Sequence, residues 1–165
     1  MRIMKTKTIF LLLLIASLGI SSMISAQNRR AERSSNSSVN GDQPVTKCDD
    51  IRVTYSRQPA ITEEVEMALP ASQVSTLRTR MSNGGVYING WDRNEFSVKT
   101  CKATAADDSN PTATLRAITT TNNGGDIGIS GPSDHDWTAS LIIMAPRLSR
   151  MDIETRNGPL QMQDL

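Results

Sequence analysis

The sequence predicts an all-β protein: a β-solenoid-like stack of short strands joined by Asn-Gly turns, with an antiparallel β-sandwich as the alternative. Three observations carry that expectation. From about Asp50 onward, short segments of period two are separated by Gly, Asn, Asp and Pro. After residue 27 no apolar stripe at i, i+3, i+4, i+7 is sustained, so long amphipathic helices are not expected. One unit, strand then Asn-Gly then strand, recurs along the chain.

The chain opens with Arg2, Lys5 and Lys7 and no acid, followed by the apolar run Ile9 to Ala16 and a small, polar stretch ending in Ser25-Ala26-Gln27. This is the order of a secretory signal peptide, and cleavage is expected after Ala26, giving residues 1–26 as the leader. The strongly apolar part is shorter than the roughly 20 residues that a bilayer span needs, so no stable membrane span is expected after processing. Removing the leader takes three basic residues and no acidic one from a chain of formal charge +1, leaving −2. The mature chain lacks the basic stripe of a nucleic-acid binder, and its one dense basic cluster, Arg29, Arg30 and Arg33, lies in a polar segment. Nucleic acid is therefore not an expected partner.

Residues 27–47 are rich in Ser, Asn and Arg, with Val39 and Val45 almost the only large apolar side chains. Such a segment buries too little surface to offset its ordering entropy, and it is expected to be a disordered linker before a β-repeat domain over 48–165. Cys48 and Cys101 are the only cysteines, and in an oxidising compartment an even pair is expected to form a disulfide. Within the domain, Glu95 to Thr100 and Trp137 to Ile143 alternate as strands with one buried face, and Ile61 to Leu69, the best candidate for a helix, also alternates up to Pro70 and is expected to be a strand. The repeat aligns Leu77 to Ile88 with Met151 to Met162, and more loosely with Ala117 to Ile129. Its turns are Asn83-Gly84, Asn123-Gly124 and Asn157-Gly158, dipeptides that supply the positive φ angles of tight turns. If these close hairpins the result is a sandwich or meander; if they are corners, successive units stack in parallel. A stack stopped at Leu165 leaves an open strand edge, so the chain is expected to be truncated at its C-terminal side or to have that edge covered by a partner.

The segments Asn83-Gly84-Gly85-Val86-Tyr87-Ile88-Asn89-Gly90-Trp91-Asp92, Ala145-Pro146-Arg147 and Arg156-Asn157-Gly158-Pro159-Leu160 resemble the bacterial adhesin-domain family related to auto-transporter adhesin heads. Members repeat an Asn-Gly, hydrophobic, x, hydrophobic unit and carry an Ala-Pro-Arg-like segment before the next strand. The resemblance spans roughly Val74 to Leu165. It implies a β-solenoid-like fold, a bacterial envelope or extracellular location and a surface or scaffolding role, and it supplies no catalytic residue. Family members continue with further Asn-Gly-Pro units, where this sequence has one.

No catalytic constellation, cofactor site or metal site is expected. His135 is the only histidine; its neighbours Asp134 and Asp136 lie on the other side of an extended chain, so the three form a solvated loop rather than a metal site. Asp107-Asp108-Ser109-Asn110-Pro111 lacks the spacing of a calcium loop and reads as a turn. No GxSxG occurs. Tyr87 and Trp91 form a possible ligand face, Tyr87 facing outward if Val86 and Ile88 are core, while Trp91 caps the core at the turn. Thr119, Thr121, Gln161 and Gln163 at outward positions offer hydrogen bonds to a surface, a cell-surface polysaccharide or a protein, and the open edge offers self-association. The leading expectation is an exported non-catalytic repeat protein of the periplasm, envelope or extracellular space. Its rivals are a carbohydrate-active β-solenoid enzyme, which needs acids such as Asp92, Asp126 and Asp152 on one face, and an N-terminal fragment of a larger repeat protein without a function of its own.

Overall fold

The computed structural model describes residues 35–39 and 43–165. The expected leader, and residues 27–34 and 40–42 of the expected linker, lie outside the described residues. The all-β expectation holds: among the described residues twelve strands form three sheets, with one short α-helix beside them. An outer sheet joins β1 (Ser35–Val39), β2 (Ile51–Tyr55) and β3 (Gln58–Pro59) in antiparallel order. The central sheet contains β4 (Ile61–Pro70), β6 (Val86–Trp91), β7 (Glu95–Thr104), β10 (Trp137–Pro146) and β12 (Leu160–Gln163), in the order β12-β6-β10-β7-β4. The back sheet contains β5 (Leu77–Asn83), β8 (Thr119–Asn123), β9 (Asp126–Ser130) and β11 (Met151–Asn157), in the order β11-β5-β9-β8.

Both larger sheets are mixed. In the central one, β12, β6 and β10 run parallel while β10, β7 and β4 alternate in direction. In the back one, β11, β5 and β9 run parallel and β8 pairs antiparallel with β9. The sheets neither close into a barrel nor run as a continuous solenoid. Two of the three Asn-Gly turns are corners that carry the chain from the back sheet to the central one, β5 to β6 and β11 to β12, and the second pair lies on the first in parallel register. The third, Asn123-Gly124, closes the antiparallel hairpin β8-β9 within one sheet. The sequence alignment of that third copy is thus displaced: the pair matching β5/β6 is β9/β10, joined through residues 131–136.

The corners depend on glycine. Gly84 has φ +96°, and a Cβ there would collide with the Ala139 carbonyl of the adjacent strand. At Gly158 a Cβ would strike the Gly84 carbonyl, so the corners stack at a distance only glycine allows. The Gly84 N–H donates to Asn157 O at 3.2 Å, the Gly85 N–H to Ser140 Oγ at 3.1 Å, and Asn157 Nδ2 to Asn83 Oδ1 at 3.3 Å. In the hairpin the positive angles fall on Gly124 (φ +61°) and Gly125 (φ +100°), whereas Asn83, Asn123 and Asn157 are not in the left-handed region. At the corners Asn83 and Asn157 serve by bonding to each other rather than by φ, and in the hairpin it is Asn122 whose Oδ1 accepts from the Gly125 N–H at 2.9 Å.

Among the described residues two larger cores form, one on each face of the central sheet, and a third, small cluster joins Leu115 and Ile118 to Ala139. Val86, Ile88, Val98, Leu141 and Ile143 pack against Leu77, Met81 and Ile127 of the back sheet. Tyr87, Ala103 and Ile142 point the other way and pack under Ile51, Val53 and Tyr55 of the outer sheet. Each fully buried aliphatic side chain here contributes about 1.5–3 kcal/mol of transfer free energy. The second core corrects three expectations. Strands β7 and β10 are buried on both faces rather than one. Tyr87 is 2% exposed and is no part of an exposed ligand face, because the outer sheet covers it. Parts of the expected linker are ordered: Ser35–Val39 pairs with β2, and Val45 is buried, with its carbonyl accepting from Asn89 Nδ2 at 2.9 Å. Cys48 and Cys101 form the expected disulfide, which fastens the outer layer to β7.

Candidate functional site

Where β5/β6 and β11/β12 turn through tight glycine corners, β9 and β10 are joined by the longer segment 131–136, and a cavity of about 690 Å³ opens there. Tyr55, Asn83, Ile129, Pro132, His135 and Trp137 are among its walls. Trp137 lies against Gly131, where a Cβ would meet the indole ring, and its Nε1 donates to Pro132 O at 2.9 Å. The Tyr55 hydroxyl donates to Ala103 O at 3.3 Å; burial, with the negative charge of Asp136, pushes it well above the ordinary tyrosine value.

His135 is held from a distant part of the chain. Its Nδ1 is 2.8 Å from Oδ2 of Asp108, whose side chain is only 5% exposed, and Thr114 Oγ1 donates to the same carboxylate oxygen at 3.1 Å. Burial pushes Asp108 upward, but the Asn110 N–H, His135 and Thr114 outweigh it and hold the carboxyl below its ordinary value. An ionised Asp108 accepts only, so Nδ1 carries the proton in this pair. Asp134 is the weaker neighbour, 3.8 Å from Nε2, and the main-chain carbonyl of Asp136 accepts from Thr104 Oγ1 at 2.8 Å. The expected Asp-His-Asp loop is thus an Asp108–His135 pair drawn from two segments that the sequence presents separately. Asp107–Pro111 is also more than a turn. Asn110 caps a helix, α1 (Pro111–Ala117), with its Oδ1 accepting from Ala113 N at 3.2 Å and proline in the first turn. Among the described residues no cluster of three or more potential metal ligands exists.

The other candidate surface is the end of the parallel block. Among the described residues β11 and β12 each have one strand neighbour, β5 and β6. Leu160 and Met162 continue the stripe of Val86 and Ile88 in register, yet they are 44% and 45% exposed where their counterparts are buried. Gln161 and Gln163 are half-buried rather than outward, in register with Tyr87 and Asn89. Thr119 and Thr121 are exposed on β8 as expected, tied to Ser130 Oγ at 2.9 Å and Gly128 O at 3.4 Å.

Two of the three acids meet at one arginine and the third lies elsewhere. Asp126 and Asp152 flank Arg78 at 3.8 and 4.0 Å on the outer face of the back sheet, and Arg80 binds Asp152 and Glu154 at 3.7 and 3.3 Å. Asp92 pairs with Arg147 at 2.8 Å instead. These pairs are solvent-exposed, so each contributes little to stability. Trp91 sits half-buried at the β6-β7 turn with Nε1 donating to Glu95 O at 2.8 Å and the Arg93 guanidinium 4.7 Å over its ring, parted from Tyr87 on the buried strand. In comparisons with protein-family models, curated proteins and solved structures, the chain matches none.

Proposed function

We propose that this is an exported, non-catalytic β-repeat protein with an adhesion-like or scaffolding role at the cell envelope, related to the adhesin-domain family that its Asn-Gly segments resemble. The observation that carries the proposal is the β11/β12 unit lying on β5/β6 in parallel register with matched corners. In this reading the parallel block is a short piece of β-solenoid, an architecture that offers long regular faces and strand edges rather than a reaction centre. The disulfide suits an oxidising compartment, in line with a leader over residues 1–26. Asp126 and Asp152 are both engaged by Arg78 and Asp92 by Arg147, and this ion pairing of all three carboxylates weighs against the rival of a glycan-cleaving acid pair.

The test is fractionation of cells expressing the full chain, followed by binding and turnover assays. The expected result is a chain beginning at Gln27 in the envelope or medium, which adheres to intact cells or cell-wall polysaccharide without releasing sugar. Retention inside the cell with the leader intact, or glycan cleavage lost on replacing Asp126 and Asp152, overturns the proposal.

A further inference from the structure

We infer that Asn123-Gly124, at the tip of the β8-β9 hairpin, is a site of spontaneous chain modification, where the asparagine side chain closes on the glycine nitrogen and reopens as aspartate or isoaspartate. The inference is independent of the surface role proposed above.

Five Asn-Gly pairs occur in the chain, and four of them lie among the described residues. Asparagine before glycine is the arrangement most open to this reaction, since glycine carries no Cβ to obstruct the approach of its nitrogen. Three of the four pairs are held against it. Asn89 is buried with Nδ2 donating to Val45 O at 2.9 Å, and Gly90 sits in the ladder opposite Ala145. At the corners Asn157 Nδ2 donates to Asn83 Oδ1 at 3.3 Å, which ties both side chains, and the Gly84 N–H donates to Asn157 O at 3.2 Å, which ties the attacking nitrogen of the first corner. Gly158 is pinned against the Gly84 carbonyl, and its own carbonyl accepts from Thr155 Oγ1 at 3.1 Å.

Asn123 ends a strand as Asn83 and Asn157 do, but no comparable restraint acts on it. It is exposed, and among the described residues no hydrogen bond holds its side chain or the Gly124 N–H. The turn is fastened by its neighbour instead, Asn122, whose Oδ1 accepts from the Gly125 N–H. A Cβ at Gly124 would meet nothing within 4 Å, so the space that the ring needs is open. At a hairpin tip the last pair frays at little cost, and rotation about the Asn123 backbone then brings Gly124 N onto Cγ.

The chemistry needs only water. Gly124 N gives up its proton and bonds to Asn123 Cγ, the Cγ–Nδ2 bond breaks, and ammonia leaves a cyclic imide. Water then adds to one of the two imide carbonyls. Opening of the N–Cγ bond gives aspartate, and opening of the bond to the main-chain carbonyl carbon gives isoaspartate, with the chain running through Cγ. Either product sets a carboxylate opposite Asp126, its ladder partner, where like charges weaken the pair, and Arg78, 3.8 Å from Asp126, is left to serve both. Strand β8 joins the back sheet through β9 alone, so β8 is the strand that loosens.

The test incubates the folded full chain, and the same chain reduced in urea, side by side at mildly alkaline pH in heavy-oxygen water, and maps the peptides by mass spectrometry. Asn40-Gly41 lies outside the described residues and does not enter the comparison. In the folded chain Asn123 is expected to convert about ten-fold or more faster than Asn83, Asn89 and Asn157, with isoaspartate among the products and heavy oxygen in the new carboxylate, whereas in urea the four sites convert at similar rates. Conversion of Asn83, Asn89 or Asn157 as fast as Asn123 in the folded chain overturns the inference. So does a folded Asn123 that stays intact while it converts in urea, a product that is aspartate without isoaspartate, or an order of rates in urea that repeats the folded one.

Discussion

Asp108 connects the helix cap to the cavity wall through one carboxylate, which accepts from the Asn110 N–H at 2.8 Å as well as from Thr114 and His135. Its folded value lies below the ordinary 3.8. The sign follows: its stabilising contribution is complete above pH 3.8 and is lost as pH falls through the lower folded value. Replacing it by Asn should cost about 1–2 kcal/mol in urea unfolding at neutral pH, and should flatten the acid limb of the stability profile below pH 3.8. A variant that loses stability equally at all pH values would show that shape, not charge, is what Asp108 contributes. In sequence Asp107–Pro111 reads as a turn, and neither the cap nor the partner was legible there. Asp108 and His135 are 27 residues apart, and only the placement of α1 beside the 131–136 segment brings them together.

Among the elements, glycine separates corners from hairpins. Gly84→Ala should be strongly destabilising, by more than about 2 kcal/mol, since it combines a positive φ with a backbone collision. Gly124→Ala meets nothing within 4 Å and should cost about 1 kcal/mol from its φ alone. Thermal melts of the two variants, read side by side, check the contrast; equal losses would mean that the corners do not stack as described. The β2-β3 hairpin reverses the lesson. Its two loop residues are Ser56 (φ +50°) and Arg57 (φ +69°), a pair of left-handed positions filled without glycine or asparagine. Ser56→Asn with Arg57→Gly should therefore stabilise by roughly 1 kcal/mol, seen as a rise in the unfolding midpoint. This turn left no trace in the sequence because its residues are not those its geometry favours.

For the whole molecule, the disulfide decides how the outer layer is held. Cys48 and Cys101 close a separation of 53 residues, worth about 4 kcal/mol in the chain-entropy model, and they tie a three-stranded sheet to the central one. Replacing both by Ser should lower stability by about 2–4 kcal/mol. The same change should raise amide exchange in β1 and β2 more than in β6 or β10, because the back-sheet core is independent of the clamp. Uniform loss of protection across all three sheets would instead mean that the layers unfold as one unit.

The alternation of Ile61–Leu69, the Asn-Gly repeat and the cysteine pair determined the strand content, the positions of the turns and the covalent link, because period and turn chemistry are written in neighbouring residues and two cysteines allow one pairing. Tertiary structure alone decided which face each strand buries. Tyr87 points away from Val86 and Ile88, as alternation requires, yet a third layer built from Ser35–Val39 and Ile51–Pro59 covers it. It also decided that Asn123-Gly124 is a hairpin while Asn83-Gly84 and Asn157-Gly158 are corners, since the dipeptide fixes how sharply the chain bends and the packing of Gly84 on Ala139 and Gly158 on Gly84 fixes which sheet it enters.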